Sequence, residues 1–232
     1  MNGTVYLIPS SLHDDSMDPI PEYVRHAVKD CQVFFVENER SARRYLKRLW
    51  KEIVIDEYQW YAIHKAEDAV RQQFAALLAE GKTIGIISEA GCPGVADPGQ
   101  LLIAEAQQSG ATVKPLVGPS SILLALMASG MNGQKFQFHG YLPIDNIARK
   151  KAIAELEVDS AKRSCTQIFI ETPYRNNQLL NDLLSVCREQ TRLCIAVDIT
   201  SAAESIRTRT VKQWKQHKQD LHKRLVIFLL QA

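Results

Sequence analysis

The residues best suited to chemistry form a glycine- and proline-rich stretch near the middle of the chain. It runs Ser-Glu-Ala-Gly-Cys-Pro-Gly-Val-Ala-Asp-Pro-Gly over residues 88–99. Glycines let the backbone approach a bound molecule closely, and the carboxylates of Glu89 and Asp97 can accept hydrogen bonds from an amine or a ribose hydroxyl. The stretch contains no lysine or arginine that would neutralise a phosphate. It therefore predicts a ligand without phosphate, held by backbone groups and carboxylates.

The spacing of these glycines differs from two familiar phosphate-binding patterns. It reads Gly-x-x-Gly-x-x-x-x-Gly. The dinucleotide fingerprint is Gly-x-Gly-x-x-Gly, and the phosphate loop needs Gly-Lys-Ser or Gly-Lys-Thr at the start of a helix. Turn residues also build long loops that bind nothing, so a purely structural loop remains an alternative.

Three shorter motifs follow apolar runs in the same way. They are Pro-Ser-Ser at 9–11, Val-Gly-Pro-Ser-Ser at 117–121 and Glu-Thr-Pro-Tyr-Arg at 171–175. The serine hydroxyls either contact a ligand or cap a helix, and Arg175 either fixes an anionic group or is solvated at a helix start. Ligands of open parallel sheets bind beyond the carboxyl ends of the strands, so we expect the four loops to converge on one cleft.

These loops need strands and helices to hold them, and the hydrophobic pattern predicts both along the whole chain. The first half has strand-length runs at 4–8, 32–36, 53–56, 83–88 and 112–117, and helical stretches at 20–29, 41–50, 66–80, 100–109 and 121–129. The second half has strands at 136–141, 166–171, 193–198, 204–210 and 225–230, and helices at 148–157, 176–189 and 211–219.

The alternation of strands and helices predicts an α/β fold with two lobes. We place the boundary before Gly118, which gives an N-terminal lobe at 1–117 and a C-terminal lobe at 118–232. Regular alternation in the N-terminal lobe predicts a mainly parallel sheet. Parallel strands need a crossover helix between them, and the last strands of the C-terminal lobe have too few helices. This predicts a mixed sheet. The cofactor cleft is expected between the lobes.

The composition argues against a disordered, membrane-spanning or secreted protein. The 232 residues are 46% hydrophobic with a net charge of +2, which is too apolar and too evenly charged for disorder. No apolar run is long enough to span a membrane, and the first residues lack the features of a secretion signal, so we expect a cytoplasmic location without a membrane.

Five irregularly spaced cysteines without a Cys-x-x-Cys pair favour reduced thiols and no metal site. Cys92 is interpreted as a loop-lining residue rather than a nucleophile.

Positive charge is clustered rather than spread evenly. Six basic residues and no acid lie between Arg40 and Lys51, and seven basic residues accompany the single acid Asp220 between Arg207 and Arg224. Such clusters either bind the phosphates of a nucleic acid or form a solvated helix face. The sequence leaves both possibilities open.

The four loops, in this order and together with Gly-Tyr-Leu-Pro at 140–143, resemble the tetrapyrrole methylase family. The resemblance runs from about residue 4 to 230 and is strongest to the branch that methylates a ribose 2′-hydroxyl of a cytidine in small-subunit ribosomal RNA. It implies S-adenosyl-L-methionine as cofactor, ribosomal RNA or the small ribosomal subunit as partner, and a homodimer.

The resemblance also implies roles for individual residues. With Glu89 added for its carboxylate, the predicted cofactor-binding residues are Pro9, Glu89, Ala90, Gly91, Cys92, Val95, Ser120, Ser121, Glu171, Ala196, Val197 and Leu225. The candidate catalytic residues are Glu37, as a base, and Arg40, as a cation that stabilises the developing alkoxide. The candidate substrate-binding residues are Arg43, Arg44, Tyr141, Arg149, Lys150 and Arg175.

Two segments depart from the RNA-modifying branch. Its first loop continues from proline into Ile-Gly-Asn-Leu, whereas this chain has Ser-Ser-Leu-His at 10–13, and its Arg-Glu-Leu-Thr is replaced by Val-Asp-Ile-Thr at 197–200. Both departures concern the acceptor more than the methyl transfer. Three functions therefore stay open: a ribosomal RNA methyltransferase, a methyltransferase of the same fold that acts on a tetrapyrrole or other small molecule, and a non-catalytic RNA-binding relative.

Overall fold

The computed structural model describes residues 3–13, 16–63, 67–217 and 219–232. The chain divides into two compact units, Met1–Ser120 and Ser121–Ala232. Over the described residues, each unit is built on a five-stranded sheet with helices packed against it. The predicted α/β class is confirmed, with one parallel and one mixed sheet.

The sheet of the first unit is entirely parallel. Its elements are β1 (Thr4–Ile8), α1 (Val24–Asp30), β2 (Val33–Val36), α2 (Glu39–Leu49), β3 (Gln59–Ala62), α3 (Glu67–Ala79), β4 (Thr83–Ile87), α4 (Gln100–Gln108) and β5 (Thr112–Pro115). The strand order is β3-β2-β4-β1-β5. The inner strands are apolar because helices cover both faces, and all four residues of β2 are buried. Because all five strands are parallel, the loops that follow them lie at the same end of the sheet, beyond the carboxyl ends of the strands.

The strand predicted at 53–56 is wrong. A short 3₁₀ helix occupies Ile55–Glu57, and the strand follows at β3. The register pairs Phe34 with Trp60 and Phe35 with Tyr61, with ring centroids 5.0 and 4.8 Å apart. Because aromatic side chains gain most by packing across neighbouring strands, these pairs outweigh the apolar run just before them.

The sheet of the second unit is mixed, as predicted. Its elements are α5 (Ser121–Ser129), β6 (Phe136–Tyr141), α6 (Asn146–Arg163), β7 (Thr166–Ile170), α7 (Asn176–Val186), β8 (Arg192–Val197), β9 (Ser205–Thr210), α8 (Val211–Gln216) and β10 (Val226–Gln231). The strand order is β6-β7-β10-β8-β9, in which only β6 and β7 are parallel. Helix α6 is longer than predicted: Asp145 caps its start through the Ala148 N–H at 2.8 Å, and Ser164 ends it in the left-handed conformation.

The predicted cofactor residues of this unit lie at one end of the inner strands of the second sheet. Strand β10 runs antiparallel to β7 and β8, and it pairs Ile227 with Ile170 and Val226 with Val197. The ends of β7 and β8 and the start of β10 therefore lie side by side. The segments that follow or precede them, including Glu171 and Leu225, share this end of the sheet.

No helix within the described ranges is both long and apolar enough to cross a membrane. In the same part of the chain, no group of three or more histidine, cysteine, aspartate or glutamate side chains is arranged to hold a metal ion.

Candidate functional site

The first loop and the glycine-rich loop of the first unit are joined by backbone pairing. Ser10 and Gly91 form an isolated antiparallel bridge, in which the Ser10 N–H donates to the Gly91 carbonyl at 2.9 Å and the Gly91 N–H donates back at 3.2 Å. The Ser10 hydroxyl also donates to the Ser88 carbonyl at 3.0 Å. Gly91 has a φ of +77°, which an L side chain rarely adopts. The bridge therefore accounts for a glycine at this position.

The side chain of Tyr45 holds the first loop, the one after β1, in place. Its hydroxyl donates to the Pro9 carbonyl at 2.6 Å, and burial raises the pKa of Tyr45, so the donor stays protonated. Tyr45 lies on the buried face of α2. The sequence did not indicate Tyr45 as a support of the site, and it indicated Ser10 only as a ligand contact or a cap. The apolar face of α2 does predict that Tyr45 is buried.

The loop after β5 packs against the first loop at a glycine. A Cβ added to Gly118 would lie 2.1 Å from the Pro9 Cβ and 2.5 Å from its Cγ. Nothing larger than glycine fits here without moving a proline ring. The Cys92 thiol is 3.7 Å from the Gly118 carbonyl and 3.5 Å from the Pro119 carbonyl, which ties in the glycine-rich loop as well. The loops after β1, β4 and β5 thus form one packed cradle.

The Cys92 thiol is a lining group in this geometry. Burial, and secondarily the nearby Asp97, raises the pKa of Cys92, which keeps the thiol protonated. Its contacts with two carbonyl oxygens also need the proton on sulfur. A nucleophilic role has no support in these surroundings.

Asp97 organises the interior of the glycine-rich loop rather than facing a ligand. Its carboxylate accepts the Gly94 N–H at 2.9 and 3.0 Å and the Gly99 N–H at 2.7 Å. Burial raises the pKa of Asp97, while these hydrogen bonds act in the opposite direction. Glu89, by contrast, is exposed. Of the two loop carboxylates, Glu89 is the one available to a bound molecule.

We expect Asp97→Ala to lower the free energy of unfolding of the first unit by about 1–3 kcal/mol, because two partly buried N–H groups lose their acceptor. Asp97→Asn keeps one acceptor oxygen and removes the buried charge, so it should recover most of that loss at neutral pH. Because the folded state holds the Asp97 proton more tightly than the unfolded state, the wild type should lose stability relative to Asp97→Asn as pH rises from 3.8 through the raised pKa.

Urea unfolding of both variants across this pH range measures the effect, with Asp18→Ala, at an exposed aspartate, as the control. Equal unfolding midpoints for Asp97→Ala and Asp18→Ala would contradict the role given to Asp97.

The candidate catalytic residues lie at the start of α2, next to the cradle. Glu37 accepts the Glu89 N–H on its Oε2 at 3.0 Å, and thereby ties the end of β2 to the glycine-rich loop. Asn38 caps α2 by accepting the Arg40 and Ser41 N–H groups at 3.0 and 3.3 Å. The Arg40 side chain is exposed and has no ion pair within the described residues. Glu37 therefore supports the loop, whereas Arg40 is available to a substrate.

Helix α2 carries the first basic cluster. Arg43 is used within the protein: it pairs with Glu39 at 2.6 Å and lies over the Trp60 ring at 5.2 Å from its centroid. Lys47 donates to the Ile53 carbonyl at 2.5 Å. Arg44 is exposed and Arg48 is half-buried. Together with Arg40 they recur every four residues and so lie along one face of the helix.

In the second unit, two candidate residues bind each other. Glu171 is buried, and its Oε1 accepts Arg175 Nη2 at 2.6 Å, Arg175 Nε at 3.1 Å and the Thr172 N–H at 2.7 Å. This ion pair fixes the turn from β7 into α7. Arg175 is therefore partly neutralised as a candidate for substrate binding.

The neighbouring turn after β8 is held by a similar pair. Asp198 has a φ of +46° and forms an ion pair with Arg224. Its Oδ1 accepts the Leu225 N–H at 2.9 Å, and its own N–H donates to the Leu225 carbonyl at 2.8 Å. Ala196 and Val197 are buried in β8, while Leu225 is half exposed. The motif that replaces Arg-Glu-Leu-Thr thus forms a defined structure here, with Asp198 at its centre.

Arg149, one of the predicted substrate-binding residues, is buried in the structure. It is 1% exposed, and its guanidinium contacts Asp182 at 2.7 and 2.8 Å and the Ile144 carbonyl at 2.7 Å. Through these contacts the buried arginine joins α6 to α7. Lys150 is half exposed and lies 3.6 Å from the same carboxylate. Tyr141 remains exposed at the end of β6.

The structure thus brings Pro9, Glu89, Ala90, Gly91 and Cys92 together in the first unit. Val95 is exposed on the same loop, and Ser120 closes the segment after β5. Ser121 is the first residue of α5 in the second unit. The other predicted cofactor residues lie at one end of the inner strands of the second sheet.

Comparisons with known proteins identify the family of the chain. The family model described as "Tetrapyrrole (Corrin/Porphyrin) Methylases" matches residues 15–214. A similar curated protein from Vibrio cholerae is 37% identical over 150 residues, which cover 63% of this chain and 50% of that protein. Another from Halalkalibacterium halodurans is 29% identical over 198 residues, covering 82% of this chain and 65% of that protein. Both bear the name ribosomal RNA small subunit methyltransferase I.

The chain thus spans between half and two thirds of the length of these two relatives. Among solved structures, the methyltransferase CobJ superposes with a TM-score of 0.64 at 15% identity, covering 100% of this chain and 95% of that one. A diphthine synthase gives 0.66 at 12% identity, covering 99% and 89%. At such identities these likenesses show a shared fold alone. Because the family model covers most of its length, the chain belongs to the tetrapyrrole (corrin/porphyrin) methylase family, as its loops predicted.

Proposed function

We propose that this protein is a methyltransferase that uses S-adenosyl-L-methionine to methylate a ribose 2′-hydroxyl of small-subunit ribosomal RNA. The observation that carries the proposal is a glycine cradle without basic residues beside a helix that presents arginines along one face. The first feature suits a cofactor without phosphate, and the second suits a polyanionic acceptor. The names of the curated relatives support the same acceptor.

The residues of the cradle fit the proposed cofactor. S-adenosyl-L-methionine supplies a methyl group on a sulfonium, and it carries an amino acid end and a ribose but no phosphate. The chain offers backbone groups of residues 89–92, an exposed carboxylate at Glu89 and the small residues Gly91 and Gly118. The resemblance assigns further contacts to Glu171, Ala196, Val197 and Leu225.

The protein's own contribution is mainly positional. Methyl transfer is an in-line displacement, and holding the acceptor oxygen about 3 Å from the methyl group supplies much of the acceleration. Glu37 holds the glycine-rich loop, and we assign it this positioning role. The exposed guanidinium of Arg40 is our candidate for stabilising negative charge on the acceptor oxygen.

The exposed face of α2 is the proposed contact for RNA phosphates. We expect the double variant Arg44→Ala/Arg48→Ala to bind small ribosomal subunits more weakly at low salt. The slope of log affinity against log salt should fall by about one for each phosphate contact that is lost.

Filter binding from low to moderate salt measures this slope. The control is Lys162→Ala, which removes an exposed positive charge from α6 and should leave the slope unchanged. Identical slopes for the double variant and the wild type would exclude α2 as the phosphate contact.

Two further properties are proposed from the resemblance and from the RNA acceptor. They are assembly as a homodimer and a cytoplasmic location, where ribosomal subunits are found. Light scattering of the purified protein tests the first, and fractionation of cells that express it tests the second.

Incubation with methyl-labelled S-adenosyl-L-methionine tests the function as a whole. The acceptors are small ribosomal subunits from a strain that lacks this modification and, in parallel, a porphyrinoid. Label in the RNA is the expected result. Label only in the porphyrinoid would favour the same-fold alternative. Salt-sensitive binding to RNA without cofactor binding would favour a non-catalytic relative.

A further inference from the structure

Tyr174 and His222 form an exposed aromatic pair beside the Glu171–Arg175 ion pair. They lie in the loops that follow β7 and precede β10 of the second sheet. Tyr174 is 70% exposed, and His222 is also exposed. Their ring centroids are 5.8 Å apart with an interplanar angle of 71°. This edge-to-face arrangement leaves most of the tyrosine ring open to solvent, and neither ring takes part in the candidate site described above.

The two rings are held by a network of backbone and amide hydrogen bonds. The Lys223 N–H donates to the Pro173 carbonyl at 2.9 Å, which ties the residues around His222 to the segment before Tyr174. Lys223 itself has a φ of +59°. The exposed rings therefore sit on two loops that are joined to each other.

Two asparagines at the start of α7 complete this anchoring. Asn176 donates to the Arg224 carbonyl at 2.8 Å. Asn177 donates to Asp220 Oδ1 at 2.7 Å and accepts the Leu221 N–H at 2.8 Å. A pair that is ordered before binding loses less conformational entropy when a ligand docks.

An exposed cation follows the pair directly in the chain. Lys223, directly after His222, is exposed. Asp220, the one carboxylate in this loop, stays ionised because hydrogen bonds from Asn177 and from the His222 backbone N–H lower its pKa, and both donors bind its Oδ1. An exposed aromatic ring next to a cation is an arrangement by which proteins bind single-stranded nucleic acids, with a base stacked on the ring and a phosphate beside the cation.

We propose that Tyr174 and His222 form a stacking site for an unpaired nucleobase of the RNA acceptor, with Lys223 beside a neighbouring phosphate. This inference rests on the proposed function, because it takes RNA as the substrate. The site lies where β7 ends and β10 begins, which is the end of the sheet that carries the second unit's predicted cofactor residues. It would therefore hold a base of the acceptor strand rather than a distant part of the RNA.

The test compares Tyr174→Ala with Tyr174→Phe and Tyr174→Trp. The probes are a single-stranded 12-nucleotide RNA with one 2-aminopurine and small ribosomal subunits that lack the modification. We expect the wild type to quench 2-aminopurine fluorescence and Tyr174→Ala to bind RNA about 5- to 100-fold more weakly. The Phe and Trp variants keep the ring and should bind within about twofold of the wild type.

Two controls separate stacking from general damage. Phe136→Ala removes another exposed aromatic ring of the same unit, 42% exposed, and should leave RNA affinity unchanged. Affinity for S-adenosyl-L-methionine should be the same in the wild type and in Tyr174→Ala. A loss that Tyr174→Phe shares in full would point to the hydroxyl and would overturn stacking.

The outcomes also distinguish this inference from the proposed function. If the wild type binds RNA with a normal salt dependence and Tyr174→Ala binds equally well, the stacking site is wrong while the RNA acceptor stands. If the wild type binds neither probe, both proposals are wrong. If Tyr174→Ala keeps RNA binding but loses a protein that copurifies with the wild type, the exposed ring belongs to a protein contact instead.

Discussion

The variant Gly118→Ala should bind S-adenosyl-L-methionine about 10- to 100-fold more weakly than the wild type. A Cβ at this position would lie 2.1 Å from the Pro9 Cβ, so the proline ring and the loop after β5 must move apart. Overpacking of this kind costs about 1–3 kcal/mol. Since both loops are fixed to the glycine-rich loop through Ser10 and Cys92, we expect the displacement to distort the cradle itself.

Isothermal titration calorimetry measures this loss of affinity, and thermal unfolding checks that the variant is folded at the temperature used. Gly133→Ala is the matched control, because it is the same substitution at a glycine with nothing within 4 Å of the added Cβ. Pro9→Gly in the Gly118→Ala background removes the atoms in the way and should restore part of the affinity. Wild-type affinity in Gly118→Ala would show that the cradle does not hold the cofactor.

Arg149→Met should lower the free energy of unfolding by about 3–5 kcal/mol, because it leaves the buried Asp182 carboxylate without its main partner. Arg149 is 1% exposed and contacts Asp182 Oδ2 through both Nε and Nη2. The nearest other cation, Lys150, lies 3.6 Å from Asp182 Oδ1 and is half exposed, so it replaces little of the interaction. Methionine fills much of the arginine volume without its charge.

Urea unfolding followed by circular dichroism measures the change. Lys151→Met is the control on the same helix, because the Lys151–Glu155 pair is exposed and 3.9 Å long, and such pairs contribute about 0–1 kcal/mol. The double variant Arg149→Met/Asp182→Leu should recover most of the stability, since no charge is left buried. Wild-type stability in Arg149→Met together with a loss of RNA affinity would return Arg149 to the substrate surface.

Most elements of the fold follow from the sequence because their signals are local. The apolar run of β4 and the glycine-rich loop are adjacent in the chain, and the burial of that strand agrees with its pattern. The third strand shows the limit of this approach. Its position depends on Trp60 and Tyr61 packing on Phe34 and Phe35 across the sheet, and a pairing between distant segments leaves no local signature.

In the candidate site, too, local features follow from the sequence and contacts between distant residues do not. The glycine-rich loop is recognisable because its composition is unusual and its position after a strand is clear. The roles of individual carboxylates are not recognisable, because Asp97 and Glu89 differ only in what surrounds them. Asp97 accepts the N–H groups of its own loop, whereas Glu89 faces solvent. The burial of Arg149 leaves no local signal for the same reason, since its partner Asp182 lies 33 positions away.

The chemical form of the product tests the central claim most directly. Small ribosomal subunits lacking the modification are incubated with the protein and S-adenosyl-L-methionine, and their RNA is digested to nucleosides for mass spectrometry. The account predicts 2′-O-methylcytidine with the wild type and with Gly133→Ala, and much less with Gly118→Ala when the cofactor concentration is near the wild-type Kd. A methyl group on a base, or cofactor turnover that leaves the RNA unmodified, would contradict it.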